Sequence, residues 1–335
     1  MKTQTFLLVA VVVLAGCVGQ PSAITSTNGV IIKSFTANPS EIESIAGESG
    51  PGIATIVSTV VQNVGEMDAE LVTVKLTGLS PEWRFKPAGI TKPLCAADAF
   101  IAIGEFSDQT RYADICRYYG IGKLFPADPS RGLNEGQETV AEWELLPPAK
   151  KEVEQTHEVG ARLNYHYTSV FDSIMRVVSS RYFQQTSNKG GLVSSKVSGG
   201  PLIVNIKAPN FILAGTTAQK SVPIQIEIQN VGSGRVFLWH DSDKSEGYII
   251  REPGIDDWDI VDVKVKLDNE DVNSQCKLAD DKHARLINGK SGLISCKLII
   301  KDSVNSFIDK AITVELTYNY VIDSTTAIRV LPLPK

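Results

Sequence analysis

One pattern occurs in both halves of the chain and limits the folds open to it: an alternating, β-branched strand that runs into an Asn-x-Gly turn. In the first half Ile56–Val61 leads into Gln62–Gly65, and in the second Val222–Ile228 leads into Gln229–Gly232. An apolar residue at every second position is typical of a strand with one buried face. Asn and Gly tolerate a positive φ, so we expect that conformation in both turns. The repeat predicts two copies of one β unit.

Each half also ends with two alternating segments separated by a few polar residues. These segments are Arg162–Thr168 and Ser173–Val178 in the first half, and Glu315–Val321 and Thr326–Leu331 in the second. Each pair predicts a β-hairpin, with its turn around Asp172 in the first half and around Asp323 in the second.

The first segment of each hairpin carries two tyrosines that share one face, because side chains alternate along a strand. They are Tyr165 and Tyr167 in the first half, and Tyr318 and Tyr320 in the second. A penultimate strand with inward tyrosines resembles the tyrosine-bearing corner of immunoglobulin-like sandwiches. We expect these rings in the core or at its corner, and His166 on the opposite, solvent-facing side of the strand.

Further short alternating segments, separated by Gly-containing turns, bring each half to about seven strands, the number typical of a sandwich. The predicted fold is all-β, with two tandem immunoglobulin-like β-sandwiches and a disulfide-clamped loop insertion in the first. The predicted segments are a signal peptide at 1–16, a lipid-anchored tether at 17–28, the first sandwich at 29–185, a Ser/Gly/Lys-rich linker at 186–200 and the second sandwich at 201–335.

The N-terminus predicts export. Lys2 precedes a short apolar run that ends in Leu14-Ala15-Gly16-Cys17, and about ten apolar residues are too few to cross a bilayer. A cysteine directly after two small residues resembles the lipobox of prokaryotic lipoproteins, which implies acylation of Cys17 and a membrane anchor on the extracellular or periplasmic face. An ordinary secretory signal and an uncleaved anchor are the alternatives, and both also export the chain.

The remaining cysteines are Cys95, Cys116, Cys276 and Cys296. Four cysteines permit three pairings. Thiols outside the membrane oxidise, and the two close pairs favour disulfides Cys95–Cys116 and Cys276–Cys296. Zinc is the competing hypothesis, but neither CxxC spacing nor nearby histidines support it.

A family resemblance covers most of the first half outside residues 90–120. Its motifs are Gly29–Phe35, Asn38–Ile42, Gln62–Gly65, Trp143–Pro148 and Tyr165–Tyr167. They resemble the immunoglobulin-like modules of archaeal surface lipoproteins, which are similar to the CARDB adhesion module and to S-layer-associated repeats. The second half matches at its Asn-x-Gly turn and its final segments. The resemblance implies a fold and a surface location, and it transfers no catalytic residue.

Composition and motifs argue against several functions. A net charge of −5 offers no electrostatic footprint for nucleic acid. The chain has four histidines and neither a nucleophile elbow, an HExxH helix nor a Walker loop. We therefore expect no enzymatic activity and no resident cofactor.

An acidic stretch in the second half is the best candidate for a metal site. Its carboxylates are Asp241, Asp243, Glu246, Asp256, Asp257 and Asp259. Calcium takes six to eight oxygen ligands from flexible acidic loops, but the spacing does not fit the EF-hand. A solvated acidic loop is the alternative to a calcium site.

Trp239 and Trp258 flank this acidic stretch. Exposed tryptophans beside carboxylates can stack on a sugar ring, whereas tryptophans that bracket a loop commonly pack it onto the sandwich. Both interpretations are kept here, with carbohydrate binding as the functional one.

The leading hypothesis is a non-enzymatic, lipid-anchored surface protein that presents loops or sheet edges to a surface protein or a polysaccharide. The alternatives are a structural spacer or envelope-assembly component of the S-layer type, and an accessory subunit of an exported enzyme or transporter.

Overall fold

The computed structural model of the chain is built almost entirely from β-strands. It describes residues 28–45, 53–80, 82–88, 101–102, 117–149, 151–209, 212–214, 220–240 and 253–333. The strands of the first half are β1 (Val30–Asn38), β2 (Glu41–Glu43), β3 (Thr55–Asn63), β4 (Ala69–Thr77), β5 (Arg84–Ala88), β6 (Ile101–Ala102), β7 (Tyr118–Leu124), β8 (Glu138–Leu146) and β9 (Gln155–Ser179).

The second half is also built from short strands that lead to one long strand. Its strands are β10 (Gly191–Val197), β11 (Leu202–Lys207), β12 (Leu213–Ala214), β13 (Lys220–Asn230), β14 (Arg235–Phe237), β15 (Ile260–Leu267), β16 (Glu270–Asp271), β17 (His283–Arg285), β18 (Ser291–Ile300) and β19 (Phe307–Leu331). One short helix, α1 (Ser180–Thr186), follows β9 and begins where the Ser179 hydroxyl accepts the Tyr182 amide. Pro129–Arg131 and Asn273–Gln275 form 3-10 turns.

Three sheets build two sandwiches, which confirms the all-β sandwich fold. One small sheet has the order β1-β3-β8-β5-β6 and another has the order β11-β13-β18. Both lie against a large shared sheet whose central order is β16-β15-β19-β9-β4-β7. β1 packs on β19 and β11 packs on β9, and alternate residues of β13 enter the core because its side chains point to opposite faces.

The two predicted hairpins are wrong, because each is a single strand of 25 residues, β9 and β19. Asp172 and Asp323 lie in mid-strand rather than in turns. Neither has the neighbouring glycine or asparagine that a tight hairpin turn needs. Both carboxylates instead find partners across the ladder: Asp172 accepts from Thr313 Oγ1 at 2.7 Å, and Asp323 accepts from Arg162 at 2.8 and 3.1 Å.

β9 and β19 pair antiparallel along almost their whole lengths, so each contributes to both sandwiches. The first half of β9 pairs with β4 in the first sandwich, and its second half pairs with β10 and β12 in the second. β19 does the reverse, pairing first with β15 and finally with β2. The chain thus exchanges strands within itself: its far C-terminal segment completes the first sandwich.

An approximate twofold axis passes through the middle of this ladder. His166 lies directly opposite Asn319, with Tyr165 opposite Tyr320 and Tyr167 opposite Tyr318. The four tyrosines are fully buried, and facing rings lie 5.6 and 6.2 Å apart between centroids. The core position predicted for the tyrosines is therefore confirmed, and they join the two sandwiches at their junction.

The positive φ expected in the Asn-x-Gly turns is wrong, because none of their residues has one. Side-chain hydrogen bonds of the asparagine stabilise each turn instead. Asn63 Nδ2 donates to the carbonyls of Met67 and Leu124, and its Oδ1 accepts the Gly65 amide. Asn230 makes the equivalent three bonds in the second half. A Cβ at Gly65 would collide with the Tyr167 hydroxyl. The glycine is needed for this close approach.

The predicted disulfide Cys276–Cys296 is present and closes a separation of 20 residues. Cys17, Cys95 and Cys116 lie outside the described residues, so the other predicted pair and the clamped insertion stay predictions. Residues 191–197, inside the segment predicted as a linker, form β10 and pair with β9. Within the described ranges, no helix is long and apolar enough to span a membrane.

Candidate functional site

The acidic excursion of the second half leaves the shared sheet at the twofold axis, on the face opposite the core. Its two ends form a stem in which Leu238 N donates to Asp257 O at 2.9 Å and Asp259 N donates to Val236 O at 3.0 Å. Inside the stem, His240 Nε2 lies 3.2 Å from Asp257 Oδ1. The excursion is thus held at its base by the sheet, while Asp241, Asp243 and Glu246 lie outside the described residues.

Trp239 covers the axis itself. Its ring stacks on the imidazole of His166 with centroids 3.9 Å apart, and it is only 8% exposed. His166 Nδ1 lies 3.3 Å from Asn319 Oδ1, and Asn319 Nδ2 donates to Leu238 O. His166 is therefore buried, not solvent-facing as expected, because the start of the excursion folds over it. Of the two interpretations of Trp239, the one in which it packs the loop onto the sandwich agrees with this contact.

Trp258 closes the other side of the stem. Its ring lies 5.7 Å from that of Phe237, and the Arg235 guanidinium lies over it at 4.7 Å from the centroid. Arg235 also donates hydrogen bonds to both carboxylate oxygens of Asp259, from Nε at 2.8 Å and from Nη2 at 2.7 Å. This hydrogen-bonded pair raises the pKa of Arg235 and fixes Asp259 with a positive φ of 64°. Trp258 is half-buried, so part of its surface is accessible.

The described carboxylates of the predicted calcium site do not converge. Asp259 is held by Arg235, Asp257 accepts the Gly254 amide at 2.7 Å, and Asp256 is exposed. Among the described residues, no group of three or more His, Cys, Asp or Glu side chains is arranged to hold a metal ion. Calcium binding therefore stays a prediction that depends on residues 241–246.

An acidic cleft of about 360 Å³ opens beside the His166–Trp239 stack. Its carboxylates are Glu66, Asp68 and Glu70, and its floor includes His166, Tyr167 and Thr168. Lys123 Nζ lies 2.6 Å from Asp68 and 3.7 Å from Glu70, and its bond to Asp68 raises the pKa of Lys123. One lysine cannot neutralise three carboxylates, so the cleft favours a cationic group.

Sequence reasoning missed this cleft, although a signal exists. The run Glu66-Met67-Asp68-Ala69-Glu70 places acids at alternate positions directly after the first Asn-x-Gly turn. The strand β4 then bulges at Leu71, whose φ is +51°. In the second half, the position that follows the Asn-x-Gly turn in the same way is the end of β14, where the acidic excursion begins. The acidic cleft of the first half and the acidic excursion of the second therefore arise at equivalent positions of the repeat.

His283 and His157 lie away from the excursion, and each contacts neighbouring side chains of its own sandwich. Both ring nitrogens of His283 face carboxylates, with Nε2 2.8 Å from Asp262 and Nδ1 3.6 Å from Asp280. His157 packs edge-on against Trp83 at 5.3 Å, and burial lowers the pKa of His157. The carboxylates beside His283 and the Trp83 ring beside His157 orient these two imidazoles.

Comparison of the chain with protein-family models finds no matching family, and comparison with curated proteins finds no match.

Proposed function

We propose that the chain is a non-enzymatic, lipid-anchored cell-surface protein that binds a protein or polymer partner at the twofold axis of its shared sheet. The observation that carries this proposal is the excursion stem, in which Trp239 and Trp258 pack the two ends of the excursion onto the β9–β19 ladder. Loops positioned by a rigid scaffold are the usual carriers of recognition.

The acidic cleft next to the stem favours a partner that carries positive charge. Glu66, Asp68 and Glu70 outnumber Lys123, and the side chains of Asp68 and Glu70 are 42% and 51% exposed. Electrostatic complementarity mainly sets specificity and association rate. We therefore infer a partner that presents lysine, arginine or another cation toward the cleft, next to the accessible part of Trp258.

Capture of partners from native membranes tests this function. The bait is the mature chain, compared with a Glu70→Lys variant that reverses one cleft charge. Glu152→Lys is the matched control, because Glu152 is an exposed acid of the first sandwich outside the cleft. A partner retained by wild type and control but lost by Glu70→Lys supports the proposal. Equal retention by all three chains contradicts it.

The anchor has a separate test. Cys17→Ser removes the thiol that the lipobox resemblance identifies for acylation, so we expect loss of lipid labelling and failure to partition with membranes. Unchanged lipid labelling would rule out this site of attachment without affecting the binding test.

A structural spacer is the second candidate, and the length of the ladder favours it. At about 3.3 Å per residue, a strand of 25 residues spans roughly 80 Å. A ladder of this length would hold other envelope components at a fixed distance from one another. This role agrees with the resemblance to S-layer-associated repeats. Self-association of the purified chain without any captured partner would favour this candidate.

A further inference from the structure

One leucine of the shared sheet has a backbone conformation that residues other than glycine rarely adopt. Leu71 of β4 has a φ of +51°, in the left-handed region, where a Cβ comes too close to the following carbonyl oxygen. Such strain persists only where the surrounding structure enforces it, and it is concentrated at functional sites. The contacts around Leu71 therefore show what this strain serves.

Leu71 belongs to a β-bulge. Glu70 pairs with His166 and Thr73 pairs with Asn164, so β4 has one residue more than β9 in this interval. Because side chains alternate along a strand, one extra residue shifts the phase of everything on one side of it. Bulges of this kind re-aim side chains next to functional sites.

The bulge decides which face of the sheet Glu70 occupies. Ala69 and Val72 are both buried in the core, although strict alternation puts residues at this spacing on opposite faces. Glu70 is exposed on the other face, where it lines the acidic cleft. In a regular strand with Val72 in the core, Glu70 would point into the core as well. The cleft therefore owes this carboxylate to the bulge.

The excursion stem supplies the contacts that hold Leu71. Its side chain packs against the small apolar cluster of Phe237 and Val321, and Trp258 packs against the same cluster. Phe237 ends β14 and Trp258 closes the stem, with their ring centroids 5.7 Å apart. A strained residue of the first half is thus held by the stem of the second.

The polar side chains beside the bulge add a second local cost. Asn164 and Thr73 lie opposite each other and are 1% and 0% exposed. Among the described residues, neither the amide atoms of Asn164 nor the hydroxyl of Thr73 has a hydrogen-bond partner. Burying such groups unpaired costs free energy. The bulge therefore depends on its apolar contacts more than a regular strand would.

We propose that Leu71 is a positioning residue through which the excursion controls the acidic cleft. While the stem is closed, its apolar cluster holds Leu71 at a positive φ, and the bulge keeps Glu70 at the cleft. When the stem loosens, the strained bulge relaxes and Glu70 leaves its position. The link to partner binding rests on the proposed function, whereas the coupling between stem and bulge does not.

Hydrogen exchange on the full chain tests the coupling through a double-mutant cycle. Trp258→Ala weakens the stem, and we expect the amides of residues 66–74 to exchange on the order of tenfold faster, the factor that matches the strain of one non-glycine residue at positive φ. In a Leu71→Gly background the same substitution should have little effect, because glycine adopts this conformation without support. Leu71→Asn should behave like Leu71→Gly, because Asn also tolerates positive φ.

Leu192→Gly is the matched control, because Leu192 lies in β10 and does not have a positive φ. The effect of Trp258→Ala should persist in this background. Equal acceleration in the wild-type and Leu71→Gly backgrounds overturns the proposal, because the stem then acts on β4 without Leu71. Unchanged exchange after Trp258→Ala in the wild-type background also overturns it.

Binding of a fluorescent oligolysine peptide measures the cleft itself. Trp258→Ala should weaken this binding several-fold, and adding Leu71→Gly should restore it, a rescue that a purely structural role of Leu71 does not predict. Binding that is weakened but not restored contradicts the role of Leu71. Peptide binding that Glu70→Lys leaves unchanged instead contradicts the proposed function, and the hydrogen-exchange cycle still decides whether stem and bulge are coupled.

Discussion

Strand exchange makes a specific prediction about where a core substitution acts. Ile328 of β19 and Met175 of β9 are equivalent under the twofold axis, and both are fully buried. Ile328 lies near the C-terminus but belongs to the core of the first sandwich, whereas Met175 belongs to the second. Ile328→Ala should therefore loosen β3, and Met175→Ala should loosen β13, each in the opposite half of the sequence.

The expected magnitude follows from the cavity that each truncation leaves. Replacing a buried Ile or Met by Ala costs about 2–5 kcal/mol. A loss of about 3 kcal/mol from the opening free energy accelerates amide exchange roughly a hundredfold. Hydrogen exchange read by mass spectrometry resolves β3 from β13, because their peptides do not overlap. Leu293→Ala is the control, since Leu293 is 61% exposed and its truncation should change exchange little.

The opposite pattern would refute the exchange of strands. If each sandwich kept its own closing hairpin, Ile328→Ala would accelerate exchange in β13 and Met175→Ala would accelerate it in β3. Equal acceleration in both strands from either variant would show that the two sandwiches open as one cooperative unit.

Three further predictions concern stability. Replacing both Cys276 and Cys296 by Ser should lower the free energy of unfolding by about 3 kcal/mol, because the loop closure of the unfolded chain is lost; urea titration with and without reductant measures this. Asn230→Ala should cost about 2–3 kcal/mol, because the buried Gly289 carbonyl and the half-buried Gly234 carbonyl both lose their donor; urea midpoints compared with Gln229→Ala, at the neighbouring half-buried position, check it. Burial raises the pKa of Tyr320 to about 12. The neutral hydroxyl is thus favoured in the folded state, so stability is intact below pH 10 and falls as the pH rises from about 10 to 12. Ultraviolet titration of tyrosinate alongside unfolding at each pH tests this, and a Tyr320 that ionises near pH 10 in the folded chain would contradict it.

Much of the architecture could be predicted from local patterns. Period-two alternation identified the strands and their buried faces, the repeated Asn-x-Gly turns identified two units, and cysteine spacing identified Cys276–Cys296. These features depend on residues close in sequence or on chemistry that few residue types share. The tyrosines were placed in the core for the same reason, because their alternation on one face is visible without any knowledge of partners.

The exchange of strands could not be predicted in the same way. Alternation runs through Asp172 and Asp323 without a break, and it fits a hairpin and a continuous strand equally well. The choice depends on which strand pairs across the ladder, a contact between residues that lie far apart in the chain. The absence of glycine and asparagine beside Asp172 was the available signal against a turn.

Only part of the candidate site could be predicted from the sequence, because the rest also depends on contacts between residues far apart in the chain. The acidic excursion and its flanking tryptophans stand out in composition, so their proximity was predictable. The burial of His166 beneath Trp239 was not, because it requires the excursion to fold back over the sheet. The acidic cleft combines β4 residues with His166 of β9, and only the pairing of those strands brings them together.

The exchanged strands also set an order of events during synthesis. The first sandwich leaves the ribosome, and crosses the membrane if the chain is exported, long before residues 321–331 exist to complete it. Until then the edge of β9 opposite β4 has no permanent partner. An incomplete first sandwich must therefore stay unaggregated while the second is made, and its final closure waits for residues 321–331. Truncation before residue 321 would leave the N-terminal sandwich unfinished, so completion of the first sandwich depends on synthesis of the second.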